Sequence, residues 1–184
     1  MTSSIIYIAA ISGSLKSTSS NTNILRAVAT LAPKNIVITI VEGLDTMPHF
    51  NPDTDENIAS VNYFRQQIKK ADAVIFSTPE YAFGVPGVLK NPLDWLVSSG
   101  ELNEKPVAAI GASPLWSGGN KALASLLLTL TALGTKFNDQ SCLSIGNIKN
   151  KMNSAGVITD VATIQSLLLN LCLLIVFIAI FNGS

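Results

Sequence analysis

The sequence has little charge, cysteine or histidine, and each shortage excludes a class of protein. Charged residues make up 13% of the 184 positions, with 12 Lys and Arg against 12 Asp and Glu. The chain therefore has no broad basic face for the phosphates of a nucleic acid. Two cysteines, Cys142 and Cys172, and one histidine, His49, fit neither a zinc-ligand spacing nor a disulfide framework. We expect no metal site and no nucleic-acid partner.

Internal repeats, low-complexity tracts and linkers are also lacking, so residues 1–184 are interpreted as a single domain. The N-terminal residues have no basic segment before their apolar stretch, which argues against a secretory signal. Hydrophobic residues make up 48% of the chain, which is enough for a full core. We expect a folded cytoplasmic protein.

Short apolar runs alternate with longer stretches of helical periodicity. The runs are continuous, as in parallel strands that are covered on both faces. Strands are predicted at Ile5–Ile11, Ile36–Val41, Ala73–Ser77 and Val107–Ala112, with a weaker fifth strand within Phe137–Ile145. Helices are predicted at Asn23–Leu31, Ile58–Lys70, Val88–Val97 and Lys121–Leu133. This order predicts a doubly wound α/β fold with a five-stranded parallel sheet and helices on both faces. Ligands of such folds bind at the carboxyl ends of the strands.

The C-terminal segment is predicted to form one more helix, capped by Thr159 or Asp160 and continuing to about Phe181. Residues 161–184 carry no charge, and a membrane anchor has a similar composition. Polar residues interrupt the segment, however, and no basic flank follows it. We expect the Val161–Phe181 helix to be buried in the core or in a subunit interface, with membrane association as the alternative.

The loop after the first strand is rich in hydroxyl groups. Between Ser12 and Asn21, six of the ten residues are Ser or Thr, and Lys16 lies among them. A helix that starts here presents free N–H groups and the positive end of its dipole, which suit a phosphate monoester. A simple capping cluster on a solvated turn is the alternative. Neither a Walker A motif nor a G-x-G-x-x-G motif occurs.

The loop after the third strand combines prolines, glycines and aromatic residues. It reads Thr78-Pro79-Glu80-Tyr81-Ala82-Phe83-Gly84-Val85-Pro86-Gly87-Val88-Leu89-Lys90-Asn91-Pro92-Leu93-Asp94-Trp95. Its aromatic side chains suit a flat ring. Glu80 and Asp94 are interpreted as groups for local hydrogen bonds and helix packing rather than as a catalytic pair.

This second loop resembles the P-E-Y-N-x-S-x-P-G-x-L-K-N-x-x-D-W signature of the NADPH-dependent FMN reductase family, a flavodoxin-like group that includes quinone, chromate and azo-dye reductases. The first loop is similar to the family's G-S-L-R-x-x-S-x-N phosphate loop. Residues 47–53 and the Ala112–Gly119 segment are similar to its loops after strands two and four. The resemblance runs from about Ile5 to Leu133 and is thin beyond that point.

The resemblance implies a residue set for FMN. The phosphate would be held by Ser14, Lys16, Ser19, Ser20 and Asn21. The isoalloxazine edge and ribityl chain would meet Pro79, Glu80, Tyr81 and the backbone at Ala82, with Ser113 on the far side. This chain departs from the family pattern where Lys16 stands in place of arginine, Ala82 in place of asparagine and Gly84 in place of serine.

The resemblance also implies an activity. We expect an NAD(P)H-dependent reductase in which FMN passes two electrons from NADPH or NADH to a quinone, an azo compound, a metal oxyanion or a free flavin. No catalytic side chain is assigned, because the flavin carries the reactive centre. The alternative is a flavodoxin-type electron carrier, although such carriers are typically acidic and this chain is neutral. A homodimer or homotetramer with a small-molecule acceptor is expected.

Overall fold

Five parallel strands alternate with five α-helices along residues 5–54 and 57–182, which this computed structural model describes. The strands are β1 (Ile6–Ser12), β2 (Ile36–Ile40), β3 (Ala73–Thr78), β4 (Val107–Ala112) and β5 (Cys142–Ile145). The helices are α1 (Ser20–Leu31), α2 (Ala59–Lys70), α3 (Gly87–Asp94), α4 (Asn120–Ala132) and α5 (Val161–Asn182). Short 3-10 helices lie at Leu44–Thr46, Asp139–Ser141 and Ile148–Lys151.

The sheet has the order β2-β1-β3-β4-β5, and all neighbouring strands are parallel. The chain first adds β2 on one side of β1 and then β3, β4 and β5 on the other. The strand order therefore reverses at β1, and this is the doubly wound arrangement predicted from the sequence. Ser12 of β1 pairs with Ser77 of β3, and Thr78 of β3 pairs with Gly111 of β4, so these three strands end at the same edge.

Two apolar cores lie on opposite faces of the sheet. Side chains alternate between them along each strand, so that Ile8 and Ala10 belong to one core and Ala9 and Ile11 to the other. Helices α1 and α5 cover the first face, and α2, α3 and α4 cover the second. Every residue of β3 and β4 is buried, which explains why both strands have continuous apolar sequences.

Helix α5 begins after Asp160, one of the two predicted caps. The Asp160 carboxylate accepts the backbone N–H of Thr163 at 2.9 Å. Leu167, Leu171, Leu174 and Ile178 are at most 1% exposed and pack on the sheet, which confirms that α5 contributes to the core.

The opposite face of α5 is apolar and exposed, so the expected burial is confirmed for one side of the helix only. Leu169, Val176 and Ile180 lie on this face. Among the described residues, α5 is the one helix that is long and apolar enough to cross a membrane.

Two helix boundaries differ from the sequence prediction by three residues, and the others differ by one at most. Helix α1 starts at Ser20 rather than Asn23, because the Ser19 hydroxyl caps it by accepting the N–H of Thr22 at 3.2 Å. Helix α3 ends at Asp94 rather than Val97. Trp95 and Leu96 are nevertheless buried, so they fill the core from a turn and not from the helix.

Candidate functional site

A cleft of about 210 Å³ lies at the carboxyl ends of β1, β3 and β4. Its walls come from the loops after these strands and from the 3-10 helix after β5. All the residues predicted for the site line it except Ala82, and the structure thus brings together Ser14, Lys16, Ser19, Ser20, Asn21, Pro79, Glu80, Tyr81 and Ser113. Thr18, Ala112, Pro114, Ile148 and Lys149 complete the lining.

The loop between β1 and α1 forms one end of the cleft and is rich in free donors. Four N–H groups around the start of α1 donate to no acceptor within residues 5–54 and 57–182, and they belong to Ser17, Thr18, Ser20 and Asn21. The Lys16 side chain is exposed beside them. Amides, hydroxyls and an ammonium group form a donor set that suits a phosphate dianion at a helix N-terminus, so this end fits the phosphate of FMN.

Asn21 has a second task that the sequence did not indicate. Its side chain is buried, its Oδ1 accepts the Ser77 hydroxyl at 2.9 Å, and its Nδ2 donates to the Ala112 carbonyl at 3.3 Å. One amide therefore joins the start of α1 to the ends of β3 and β4. The Asn21 side chain is buried and each of its polar atoms has a partner, whereas the backbone N–H of Asn21 is free to donate to a ligand.

Glu80 connects two walls of the cleft. Its Oε2 accepts the N–H groups of Lys121 at 2.8 Å and Ala122 at 3.0 Å, at the start of α4. Helix α4 begins after Gly119, which offers no capping side chain, so Glu80 supplies the cap from another loop. Glu80 therefore serves hydrogen bonding and helix structure, as interpreted from the sequence, but its partners lie 41 and 42 positions away and are not local. Asp94, the second carboxylate considered, forms an ion pair with Lys90 one turn away.

Tyr81 stands at the start of a tight turn at the rim. Tyr81 and Gly84 exchange two backbone hydrogen bonds, of 3.3 and 2.9 Å. The two residues between them, Ala82 and Phe83, have φ of 48° and 61°. This left-handed region suits Gly and Asn, and the family motif has Asn where this chain has Ala82. Tyr81 is 59% exposed and Pro79 also lines this end of the cleft, so an aromatic ring and a pyrrolidine ring form an open wall here.

The far wall is built from the ends of β4 and β5. Ser113 is buried, its N–H donates to Ile145 at 3.2 Å, and its Oγ accepts the N–H of Leu115 at 3.1 Å. The Ile148 N–H in turn donates to the Ser113 carbonyl. These bonds bring the 3-10 helix after β5 to the cleft and place Lys149 in its lining.

Sequence reasoning missed Lys149. Its segment lies beyond Leu133, where the resemblance is thin. The one available signal was a lysine soon after the fifth strand, at the edge where the other loops meet. With Lys16 it gives the cleft two ammonium groups, while the carboxylate in the lining, Glu80, is engaged with α4. The described part of the chain contains no group of three or more His, Cys, Asp or Glu side chains suited to a metal ion.

Comparison with known proteins gives consistent matches. The profile of the family described as NADPH-dependent FMN reductase matches residues 6–150. The curated NAD(P)H-dependent FMN reductase of Pseudomonas aeruginosa is 33% identical over 84% of this chain and 85% of its own length. A quinone reductase of Pseudomonas putida is 31% identical over 86% of this chain and 87% of its own.

Solved structures agree with these matches. The flavoenzyme NAD(P)H:(acceptor) oxidoreductase FerB from Paracoccus denitrificans superposes with a TM-score of 0.83 and 28% identity, covering 95% of this chain and 97% of that one. A flavodoxin, WrbA-like protein from Agrobacterium tumefaciens gives a TM-score of 0.60 at 17% identity over 94% and 97% of the two chains, which is a likeness of fold alone. The predicted flavodoxin-like fold is confirmed.

Proposed function

The chain belongs to the NADPH-dependent FMN reductase family, and we propose that its cleft holds FMN and uses NAD(P)H to reduce a small quinone. Family membership makes the protein an oxidoreductase with FMN as cofactor and NAD(P)H as co-substrate. Relatives that cover most of the chain are named quinone reductases, including those of Pseudomonas putida and Escherichia coli. This favours a quinone over azo compounds, metal oxyanions or free flavin as the acceptor, and an enzyme over a flavodoxin-type carrier.

The observation that carries the proposal is the set of free donors at the start of α1. The N–H groups of Ser20 and Asn21, the hydroxyls of Ser14 and Ser20 and the Lys16 ammonium group would surround the phosphate. Ser19 would act indirectly, because its hydroxyl caps α1 and so fixes the direction of these donors.

The other residues would orient the ring. Pro79 and Tyr81 would bound one side of it and Ser113 the other. Glu80 would hold the loop after β4 in place through α4 rather than touch the ring. The backbone at Ala82 would act through the turn that sets the position of Tyr81.

FMN supplies the chemistry when bound, by taking a hydride from the nicotinamide and passing two electrons to the acceptor. The chain has to leave one side of the ring accessible to both partners in turn. The open wall beside Tyr81 suits this use. No proton transfer by a side chain is required, so Tyr81→Phe should retain most of the turnover.

We also propose that residues 1–184 work as one FMN-binding domain in a cytoplasmic homodimer or homotetramer. The exposed apolar face of α5 supports self-association, and its buried face argues against a membrane-spanning role. Size-exclusion chromatography with light scattering would test the assembly. If the protein were found in the membrane fraction and were released only by detergent, this would contradict a soluble state.

The enzymatic proposal is tested by the visible spectrum and by steady-state kinetics. The purified protein should show bound flavin and should oxidise NADPH or NADH with a soluble benzoquinone. Double-reciprocal plots at several quinone concentrations should be parallel, because the nicotinamide product leaves before the quinone binds. Intersecting lines, or full activity in flavin-free protein, would overturn the proposal.

The phosphate assignment is tested by comparing FMN with riboflavin, which lacks the phosphate. A charge-assisted hydrogen bond contributes about 1.5–3 kcal/mol. Lys16→Ala should therefore weaken FMN binding roughly tenfold or more and leave riboflavin almost unaffected. Lys34→Ala removes an exposed lysine outside the cleft and serves as the control. An equal loss of affinity for FMN and riboflavin would show that this loop does not bind the phosphate.

A further inference from the structure

A second cavity, of about 370 Å³, lies between α2 and the strands β1 and β2, and we call it the β2 groove. Strand β2 is at one edge of the sheet. The lining comes from the two strands, the end of α2 and the residues that directly follow: Tyr7, Ile8, Ala9, Thr39, Val41, Gln67, Lys70 and Ala71. None of these residues lines the cleft assigned to FMN, so the β2 groove is a separate place in the fold.

The β2 groove exists because α2 leaves one face of β2 uncovered. Side chains of β2 alternate between the two faces of the sheet, and Val37 and Thr39 are the ones on the α2 face. Both are exposed, and Tyr7, which pairs with Val37, is 50% exposed. Ala9, which pairs with Thr39, and Ala71 after α2 are too small to fill the space. A slot therefore stays open between the sheet and the helix.

The lining combines an apolar floor with a few polar groups, which is the usual composition of a site for a small molecule. Ala9, Val41 and Ala71 are buried and form the floor. The polar groups belong to the side chains of Tyr7, Thr39, Gln67 and Lys70. None of these four side chains is hydrogen-bonded or ion-paired to another residue within 5–54 and 57–182. Their donors are therefore available to a ligand of one or two rings, which the volume can hold.

The charge at the β2 groove is positive. Lys70 is the one charged residue in the lining that the structure describes. The negative end of the α2 dipole lies nearby, but the Lys105 ammonium group donates to the Ala71 carbonyl at 2.6 Å and offsets it. Asp72, the acidic residue that follows α2, lies outside the lining and accepts the Tyr7 N–H at 2.8 Å. The groove therefore favours a ligand with one negative charge.

We propose that the β2 groove binds a small aromatic carboxylate. The ring lies in the slot against Tyr7 and Val41, because a flat ring fits between a helix and a sheet and packs well on an exposed aromatic side chain. The carboxylate accepts hydrogen bonds from the Lys70 ammonium group and the Gln67 amide. A carboxylate suits the groove better than a phosphate dianion, since one ammonium group balances one negative charge. The inference does not depend on the proposed function, because no residue that lines the FMN cleft takes part.

The experiment measures binding to the FMN-loaded protein by ligand-observed NMR titration, with 2-naphthoate and the neutral 2-naphthamide as the probes. 2-Naphthoate should bind with a Kd of about 1 mM or lower. It should bind about fivefold more tightly than the amide, because only the carboxylate gains the charge-assisted bond to Lys70. Lys70→Gln should weaken 2-naphthoate alone and bring the two affinities together. Lys69→Gln is the matched control, because Lys69 is also exposed but does not line the groove, and it should change neither affinity.

A variant that fills the slot locates the binding. Thr39→Trp places a large ring there from an exposed strand position, where aromatic residues are well tolerated. It should abolish the binding of both probes and leave the flavin spectrum and the urea midpoint close to those of the unmodified protein. Binding that shifts the flavin spectrum and survives Thr39→Trp would place the probes in the FMN cleft and overturn the inference.

Two further results would also overturn it. Equal affinity of the unmodified protein for the two probes, or equal losses in Lys70→Gln and Lys69→Gln, would show that Lys70 does not select a carboxylate. If neither probe bound and Thr39→Trp changed the oligomeric state in light scattering, the groove would be a contact between copies of this chain instead.

Discussion

Glu80 in the loop after β3 accepts the backbone N–H of Lys121 at 2.8 Å, across 41 positions of the sequence. The same oxygen accepts the N–H of Ala122. The negative carboxylate lies at the positive end of α4, where the helix itself has no capping side chain and no acidic residue in its first turn. One side chain thus fixes the two loops that face each other across the candidate flavin site.

Removing this cap should destabilise the fold and loosen the site. Glu80→Ala should lower the free energy of unfolding by about 1–2 kcal/mol, because two N–H groups at the start of α4 lose their acceptor. Glu80→Gln keeps an acceptor oxygen and should lose less. Urea unfolding of the flavin-free protein measures the difference.

The control for Glu80 is Glu42, which is exposed. Glu42→Ala should change the free energy of unfolding by less than about 0.5 kcal/mol. If Glu80→Ala were as mild as Glu42→Ala, the cap would have no energetic role.

The Tyr81–Gly84 turn should be improvable by mutation. Ala82 has a φ of 48°, and a left-handed residue with a Cβ costs roughly 1–2 kcal/mol. Ala82→Gly should therefore raise the free energy of unfolding by about 1 kcal/mol, and Ala82→Asn by a smaller amount. Ala124→Gly in the exposed middle of α4 should instead lose about 1 kcal/mol. A loss of stability at both alanines would contradict the strain assigned to the turn.

The sheet was predictable because its strands are covered on both faces. Such strands read as continuous apolar runs, and the predicted range for β4, Val107–Ala112, is the range observed. The start of α1 was harder to predict from the sequence, because a Ser-rich loop has no apolar periodicity and the cap at Ser19 decides where the helix begins. In α3 the apolar pattern continued through Trp95 and Leu96 although the backbone leaves the helix at Asp94.

The roles within the site depended on contacts between distant segments. Composition and a family signature were enough to nominate the residues around the cleft. The bonds from Asn21 to Ser77 and from Glu80 to α4 join segments more than 40 positions apart, so no local pattern reveals them. Lys149 was missed for a similar reason. The sequence pattern of β5 is weak, so the position of the loop that follows it could not be predicted.

A glycine series should separate backbone strain from crowding. Gly118 has a φ of 65°, and a Cβ there would lie 2.5 Å from Ser144 Oγ and 2.9 Å from the backbone of β5 and its following residue. Gly118→Ala should lower the free energy of unfolding by about 3 kcal/mol. This is the sum of the backbone strain and of a clash with backbone atoms, which cannot move aside as a flexible side chain could.

The two controls for Gly118 remove its properties in turn, because Gly100 lacks the crowding and Gly87 lacks both the crowding and the strain. Gly100 has a φ of 74° but open space around it, so Gly100→Ala should cost about 1 kcal/mol from strain alone. Gly87 starts α3 with neither strain nor neighbours, and Gly87→Ala should be neutral or slightly stabilising. Urea midpoints of the three variants should follow this order, and equal losses at all three would refute the distinction.

The cap of α5 should make stability depend on pH in the acidic range. Hydrogen bonds from the Thr163 hydroxyl at 2.6 Å and the Thr163 N–H at 2.9 Å hold the pKa of Asp160 below its ordinary value, with help from Lys151 at 3.4 Å. Because the folded pKa is the lower one, the carboxylate stabilises the fold above the ordinary value of about 3.9. This contribution is lost as the pH falls through the folded pKa.

The measurement compares urea unfolding of the unmodified protein and Asp160→Asn between pH 2.5 and 6.5. The difference in free energy of unfolding between the two proteins should be constant above about pH 5. It should shrink as the pH falls below about 4, because a protonated Asp160 and an Asn at this position are both uncharged caps. Thr163→Val removes the hydroxyl but keeps the N–H, so it should leave part of the pH dependence in place. If this difference in free energy of unfolding stayed constant down to pH 2.5, or grew there, the charge of Asp160 would not stabilise the start of α5.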